Sequence, residues 1–337
     1  MTVISIILPV FDAAATVGEA IDSMLAQTEP DWELIAVDDG STDDSLRVLH
    51  AAARRDERIR VLAREHRGLV PTLNDGLAAA RGRFVARMDA DDVALPERLL
   101  RQRRHLEQRP EIGVVATRVS FDGDPARQAG FARHVDWSNT LLSHDEISLA
   151  RFVESPIVHP TVMFRRELVE RAGTYADGAF PEDYELWLRW LEAGVRFEKL
   201  PDPLLRWRDA GSRLSRVDPR YATDAFYRVK AFYLARWLAQ ENPHHPKIVV
   251  WGAGRVTRRR VEHLAAHGIE VAAFVDIDAR KIGKTIDGVP VVSMEKLPPP
   301  GQAFVVPYVA SVDARRLIET QLRAFGYRPG RDYIPAA

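Results

Sequence analysis

The chain has 337 residues, 46% hydrophobic and 28% charged, with 47 basic against 48 acidic side chains and a formal net charge of −1. That is apolar material for two soluble domains of ordinary size, and the even charge balance sets aside a dedicated nucleic-acid binder. The absence of cysteine removes disulfides, thiolate metal sites and cysteine nucleophiles together.

Residues 1–10 are apolar but carry no basic start and no cleavage signal, so they are not read as a signal peptide. No run approaches the ~18 apolar residues of a spanning helix, and a cytoplasmic protein is expected. Residues 3–10, closed by Pro9, have the continuous β-branched character of a buried parallel strand. Thr16 and Glu19 have capping-box spacing and open a helix over 17–27. A second buried strand, 32–37, runs into Asp38-Asp39-Gly40-Ser41-Thr42-Asp43. Gly40 permits a tight turn there, and Ser41 or Thr42 can cap a helix over 44–55. A third short strand, 59–62, leads through Arg64-Glu65-His66-Arg67-Gly68 to a helix ending at Ala80.

The fourth strand, 83–88, ends abruptly in Asp89-Ala90-Asp91-Asp92. Residues i and i+2 of an extended backbone share a side, so Asp89 and Asp91 project together. Carboxylates that close repel unless a cation or donors hold them, and a hard divalent ion such as Mg²⁺ or Mn²⁺ is the usual partner. Four strand–helix units predict a doubly wound, mainly parallel α/β sheet. Ligands of such sheets lie at the carboxyl ends of the strands. Asp38, Asp39, Asp89 and Asp91 all sit at such ends, so one crevice can hold all four.

Residues 96–108 form a basic amphipathic helix whose arginines, between Leu99, Leu100 and Leu106, read as a solvated face. A strand over 113–121 and a polar loop over 122–136 follow. The run Ile157-Val158-His159-Pro160-Thr161-Val162-Met163-Phe164 is strand-like. Glu182 and Asp183 then open a helix that packs through Leu186, Trp187 and Trp190. Its acidic start, read as outward-facing, is favoured at a helix N-terminus by ~0.3–1 kcal/mol. Strands at 195–200 and 203–207 close this part. The helix over 220–240 interleaves aromatics with Arg228, Lys230 and Arg236. It can lie on a membrane surface, although burial of its aromatic face between two domains is the favoured reading. Pro243 and Pro246 mark a linker. Beyond it, Gly252-Ala253-Gly254 at a strand-to-helix turn, with Asp276 after the next strand, resembles a dinucleotide-binding half. Thr257 stands where the third glycine belongs, and a docking or oligomerisation module is favoured over nucleotide binding.

Together, Leu8-Pro9-Val10-Phe11, Val37-Asp38-Asp39-Gly40-Ser41-Thr42-Asp43 and Met88-Asp89-Ala90-Asp91-Asp92 resemble the family 2 glycosyltransferases over residues 1–215. The resemblance implies the GT-A nucleotide-sugar-binding fold, an inverting transfer from a nucleotide-sugar (a UDP-sugar above all), and a divalent cation, Mn or Mg. The acceptor it implies is a saccharide or a lipid-linked saccharide, as in bacterial surface polysaccharide synthesis. Pro9, Phe11, Asp38, Asp39 and Ala90 would border the donor. Asp89 would meet the ribose or a metal-bound water, and Asp91 would ligate the metal. On the acceptor side the resemblance points to His159, to Asp183 as general base, and to Glu182 as an orienting neighbour. Two departures stand out. His66-Arg67-Gly68 replaces the family's Asn-x-Gly, leaving Arg64 or Arg67 to approach the diphosphate. Arg208 stands where the family often has histidine; a guanidinium cannot ligate metal but can neutralise diphosphate.

The C-terminal part resembles small Rossmann-like modules appended to bacterial sugar-processing enzymes, giving a division into 1–215, a connecting helix and linker over 216–246, and an accessory domain over 247–337. A peripheral place on the inner face of the membrane and a homo-oligomer both stay open. Two rival functions remain. A nucleotidyltransferase would not explain Glu182-Asp183, and a nucleotide-sensing scaffold would work through Gly252-Ala253-Gly254 without turnover.

Overall fold

A computed structural model describes residues 2–208 and 214–337. They gather into two compact units, Met1–Ile147 with Pro156–Asp218, and Ser148–Ser155 with Pro219–Ala337. The helix expected to be a connector therefore belongs to the second unit.

In the first unit the strands are β1 (Ile4–Val10), β2 (Trp32–Asp38), β3 (Ile59–Ala63), β4 (Phe84–Arg87), β5 (Val93–Ala94), β6 (Ile112–Asp122), β7 (Met163–Arg165) and β8 (Arg196–Arg208). They form one mixed sheet in the order β3-β2-β1-β4-β7-β6-β8-β5. The four N-terminal strands are parallel, and β7 enters antiparallel between β4 and β6. The helices are α1 (Val17–Leu25), α2 (Ser45–Arg55), α3 (Leu69–Ala79), α4 (Arg98–Gln108), α5 (Ala129–Thr140), α6 (His144–Ala150, its last three residues counted with the second unit), α7 (Glu167–Ala172), α8 (Glu182–Glu192) and α9 (Leu214–Val217).

Strand alternation builds both cores. Ile4, Ile6, Leu8 and Val10 of β1 pack with Val17, Ile21, Leu49 and Leu99 on one face, while Ile7 joins Leu73, Leu77, Trp187 and Trp190 on the other. A sheet covered on both faces delivers its parallel strand ends to a single edge, and the acidic turns lie there.

Several local expectations are revised. Thr16 makes no capping bond to α1; its hydroxyl donates to the Ala13 carbonyl. Glu19 instead pairs with Arg208. Neither Ser41 nor Thr42 caps α2; its first amide, Ser45 N–H, donates to Asp43 Oδ1 at 2.9 Å. The loop read over 122–136 already becomes helical at Ala129, and the two strands at 195–207 are one.

The second unit holds α10 (Thr223–Glu241), β9 (Lys247–Trp251), α11 (Arg255–Ala265), β10 (Glu270–Val275), β11 (Thr285–Ile286), β12 (Val289–Val292), β13 (Val305–Pro307) and α12 (Val312–Ala324). Its sheet order is β11-β12-β10-β9-β13, parallel except for the β11–β12 hairpin. The aromatic side of α10 is buried within its own unit: Trp237 packs on Phe152 and Phe304, and Tyr227 on Tyr308. Buried Lys230 donates to the carbonyls of Val153 and Ala336 at 2.9 and 3.0 Å. Asp276, the acid a dinucleotide ribose would require, is engaged by Ala253 N–H and Lys281 Nζ, each at 2.9 Å. No described helix is long and apolar enough to cross a membrane.

Candidate active site

The ends of β1 and β2 are stitched together by polar bonds. Asp12 N–H donates to Ser41 Oγ at 3.0 Å, and Thr42 N–H to Asp12 Oδ1 at 2.7 Å. Gly40 turns with φ +73°, and a Cβ there would stand 2.6 Å from His66 N. Only glycine fits the turn. Asp39, 4% exposed, is the hub of the adjoining loop. It accepts from Arg64 Nη2 at 2.8 Å, from Arg67 N–H at 3.0 Å and from Gly68 N–H at 2.8 Å, and His66 Nδ1 lies 2.9 Å from Oδ2. Asp38 is also buried. One of its oxygens accepts from Ser41 N–H at 3.2 Å, and the other has no hydrogen-bond partner among the described residues. Phe11, 46% exposed, stacks on His66 with ring centroids 4.2 Å apart. Pro9, half-buried, precedes it on β1.

The three arginines expected near a diphosphate are engaged elsewhere, Arg67 with Asp75 at 2.5 Å. Arg64 also bonds Asp75, Thr72 and the Gly68 carbonyl, so it braces the loop. The Arg208 guanidinium pairs with Glu19 at 2.7 Å and Asp122 at 3.4 Å. Its backbone N–H donates to Asp92 Oδ1 at 2.9 Å and ties the end of β8 to the acidic turn.

At that turn, one carboxylate oxygen from each of Asp89, Asp91 and Asp92 lies within 4.8 Å of the others. Asp92 is fully buried, whereas Asp89, Ala90 and Asp91 are half-buried. The donor set is all hard oxygen, which suits Mg²⁺ or Mn²⁺ and not a soft ion. Beneath it, fully buried Arg98 donates to the Arg87 carbonyl at 2.7 Å. Burial pulls the Arg98 pKa down to about 9, with Asp92 and Asp89 pulling the other way and Arg87 adding to the fall. The solvated basic face expected for α4 is thus interrupted by an arginine turned inward.

On the opposite side, α8 starts buried. Glu182 is 2% exposed and Asp183 half-buried, because Leu186, Trp187 and Trp190 draw the whole first turn into the core. The outward-facing start is therefore corrected. Tyr184 N–H donates to Asp183 Oδ1 at 2.7 Å. Burial raises the Asp183 pKa far above the carboxylate range, Glu182 and Asp89 add to the rise, and the Tyr184 amide and Arg87 oppose it. His159 Nε2 lies 2.7 Å from the Tyr175 hydroxyl, and the His159 ring meets Trp187 edge-on. Burial, aided by Arg87, keeps His159 neutral.

Asp89, Arg87, His159, Tyr175, Glu182 and Asp183 thus share one electrostatic neighbourhood. Sequence reasoning missed three of the residues around it. Arg87, a charge inside an apolar strand, was a visible signal; Arg98 looked like one surface arginine among several; Tyr175 gave none.

Residues 5–173 match the family model for glycosyl transferase family 2, and residues 244–326 the model described as C2185-like, N-terminal. The amylovoran biosynthesis glycosyltransferase AmsE of Erwinia amylovora is 32% identical over 196 residues, covering 58% of this chain and 70% of AmsE. The O-antigen biosynthesis glycosyltransferase WbnJ of Escherichia coli is 28% identical over 239 residues, 70% of this chain and 91% of WbnJ. Among solved structures, S. aureus TarS 1-349 in complex with UDP-GlcNAc is similar with a TM-score of 0.57 at 18% identity, covering 79% of this chain and 71% of that one. At that identity the likeness speaks for the fold.

Proposed function

The chain belongs to glycosyltransferase family 2, and on that premise we propose that it transfers a sugar with inversion from a UDP-sugar to a saccharide or lipid-linked saccharide. The observation that supports this reading is a pair of acidic groups whose fields reach each other. One is the Asp89, Asp91 and Asp92 turn; the other is the Glu182–Asp183 pair, whose base candidate feels both Asp89 and Arg87.

Asp183 takes the proton from the acceptor hydroxyl as that oxygen bonds to the anomeric carbon. The bond to the diphosphate oxygen breaks in the same step, and its electron pair leaves with the nucleoside diphosphate. A carboxylate whose proton affinity is raised towards neutrality is suited to this work. Glu182 and neutral His159, the latter bonded to Tyr175, orient the acceptor. Asp91 and Asp89 would hold a Mg²⁺ or Mn²⁺ ion, which supplies neutralisation of the leaving diphosphate. Pro9, Phe11, Asp38, Asp39 and Ala90 border the nucleoside. Arg64 acts through Asp39, and Arg208 reaches the diphosphate only by leaving Glu19 and Asp122.

The acceptor class follows WbnJ and AmsE, whose names tie them to O-antigen and amylovoran biosynthesis. Work on nucleotide-sugar donors belongs in the cytoplasm, at the inner face of the membrane where the acceptor is lipid-linked. The test is a panel of UDP-, GDP- and dTDP-sugars with Mn²⁺ or Mg²⁺ and a mixture of glycan acceptors. Cation-dependent UDP release, abolished by EDTA, is expected. Binding of UDP without turnover, or pyrophosphate release from UTP and a sugar phosphate, would overturn the reading.

A further inference from the structure

The last residue of β4 is an arginine, Arg87, only 3% exposed. Its neighbours include Ile7, Leu73, Val85, Phe164 and Tyr175, surroundings that a methionine would also suit. Removing a guanidinium from water is costly unless partners restore its bonds. The restoration is incomplete. Nη2 donates to Asp89 Oδ1 at 2.6 Å and Nη1 turns to the Met88 carbonyl, but Nε–H has no hydrogen-bond partner among the described residues. Packing and hydrogen bonding therefore give this charge a poor reason to be here.

Its electrostatic setting gives a better one. Asp89 is in contact, and Asp183 lies within reach of its field. The groups acting on Asp183 are Glu182 beside it, the Tyr184 amide, Asp89 and Arg87. The same guanidinium acts on the hydrogen-bonded His159–Tyr175 pair. Glu182 and Asp89 make the ionised form of Asp183 costlier, and Arg87 acts against them.

We propose that Arg87 is a positioning residue for the transfer: held in place by its bond to Asp89, it supplies the buried positive charge that supports Asp183 beside Glu182 on the acceptor side. The proposal rests on the reading of Asp183 as the base. It is tested on the full chain with Arg87→Met, Arg87→Lys, Asp183→Asn and the Arg87→Met/Asp183→Asn double variant. The measurements are calorimetric UDP binding in Mn²⁺, kcat and KM for transfer, and the unfolding midpoint.

Arg87→Met keeps length and removes charge, so UDP binding should stay within about threefold of wild type while kcat falls by roughly 10²-fold. Arg87→Lys restores the charge without the fork and should recover at least about tenfold of that loss. In the Asp183→Asn background the same Arg87→Met change should cost less than about threefold, because residues acting as a unit are not additive. Full kcat in Arg87→Met, an equal loss in both backgrounds, or a parallel loss of UDP binding and kcat would each overturn the proposal. Should Arg87→Met fail to fold, Arg87→Lys decides: kcat within about tenfold of wild type with UDP binding intact supports the proposal, and a larger fall overturns it. If Asp183→Asn transfers at the wild-type rate, the base assignment itself fails. If Asp183→Asn is dead while Arg87→Met is not, only the role of Arg87 fails.

Discussion

Replacing Asp183 with asparagine should make the protein more stable and less active at once. The side chain opens α8, and its Oδ1 accepts from Tyr184 N–H at 2.7 Å; an amide oxygen can take the same bond, so the helix start survives. The folded-state pKa is raised, by burial first and by Glu182 next. Between the unfolded value near 3.9 and the raised one, the folded protein binds more protons than the unfolded chain, so stability falls as pH rises through that window. A tenfold change in proton affinity is worth about 1.36 kcal/mol. Because the carboxylate is only half-buried, solvent returns much of this, and we expect Asp183→Asn to gain ~1–2 kcal/mol at pH 8 and nothing near pH 4. Transfer should fall by roughly 10²–10⁴-fold with UDP affinity unchanged, the usual contribution of a positioned base. Denaturant titrations at the two pH values and UDP-release rates check both halves. A variant that is less stable than wild type at pH 8, or that transfers within about tenfold of it, refutes the reasoning.

Asp91→Asn should leave the fold intact and remove cation-dependent UDP binding, read by calorimetry with and without Mn²⁺; unchanged cation dependence would remove Asp91 from the metal site. Asp39→Ala removes one of the two carboxylates that Arg64 pairs with and bares the amides of Arg67 and Gly68, so denaturant unfolding should show a loss of ~3 kcal/mol; a loss below ~1 kcal/mol would show that the loop does not depend on this hub. Lys230, its pKa pulled down to about 7 by burial, binds fewer protons folded than unfolded up to its free value near 10.4. The unfolding midpoint should therefore rise from pH 7 to pH 9 more steeply in wild type than in Lys230→Met, and identical slopes would contradict this.

The acidic turns were largely legible because strand ends announce themselves. Largely apolar strands stop at Asp38 and at Asp89, and the alternation of four strands with helices brings those stops to one edge. Legibility failed where a polar residue had to turn inward. Arg98 sits in a helix with Arg101, Arg103 and Arg104, and its spacing does not tell which of the four goes under the acidic turn. Glu182 read as a solvated first-turn acid, since an apolar stripe fixes the side a helix packs on but not how far its neighbours close over its start. Tyr175 finds His159 across a gap in sequence that no local pattern spans. Thr16 and Glu19 have the right spacing for a capping box, yet the end of β8 offers Glu19 an arginine, and tertiary pairing overrode the local motif.

The bond from the backbone N–H of Arg208 to Asp92 has a consequence for how this position can drift. The acidic turn is gripped by a peptide group, which nineteen of the twenty amino acids carry alike and proline alone lacks. Side chains at 208 can therefore be exchanged, histidine for arginine included, without loosening the turn they flank. The chemistry offered to a donor at that edge is free to diverge between lineages while the frame that presents it stays put.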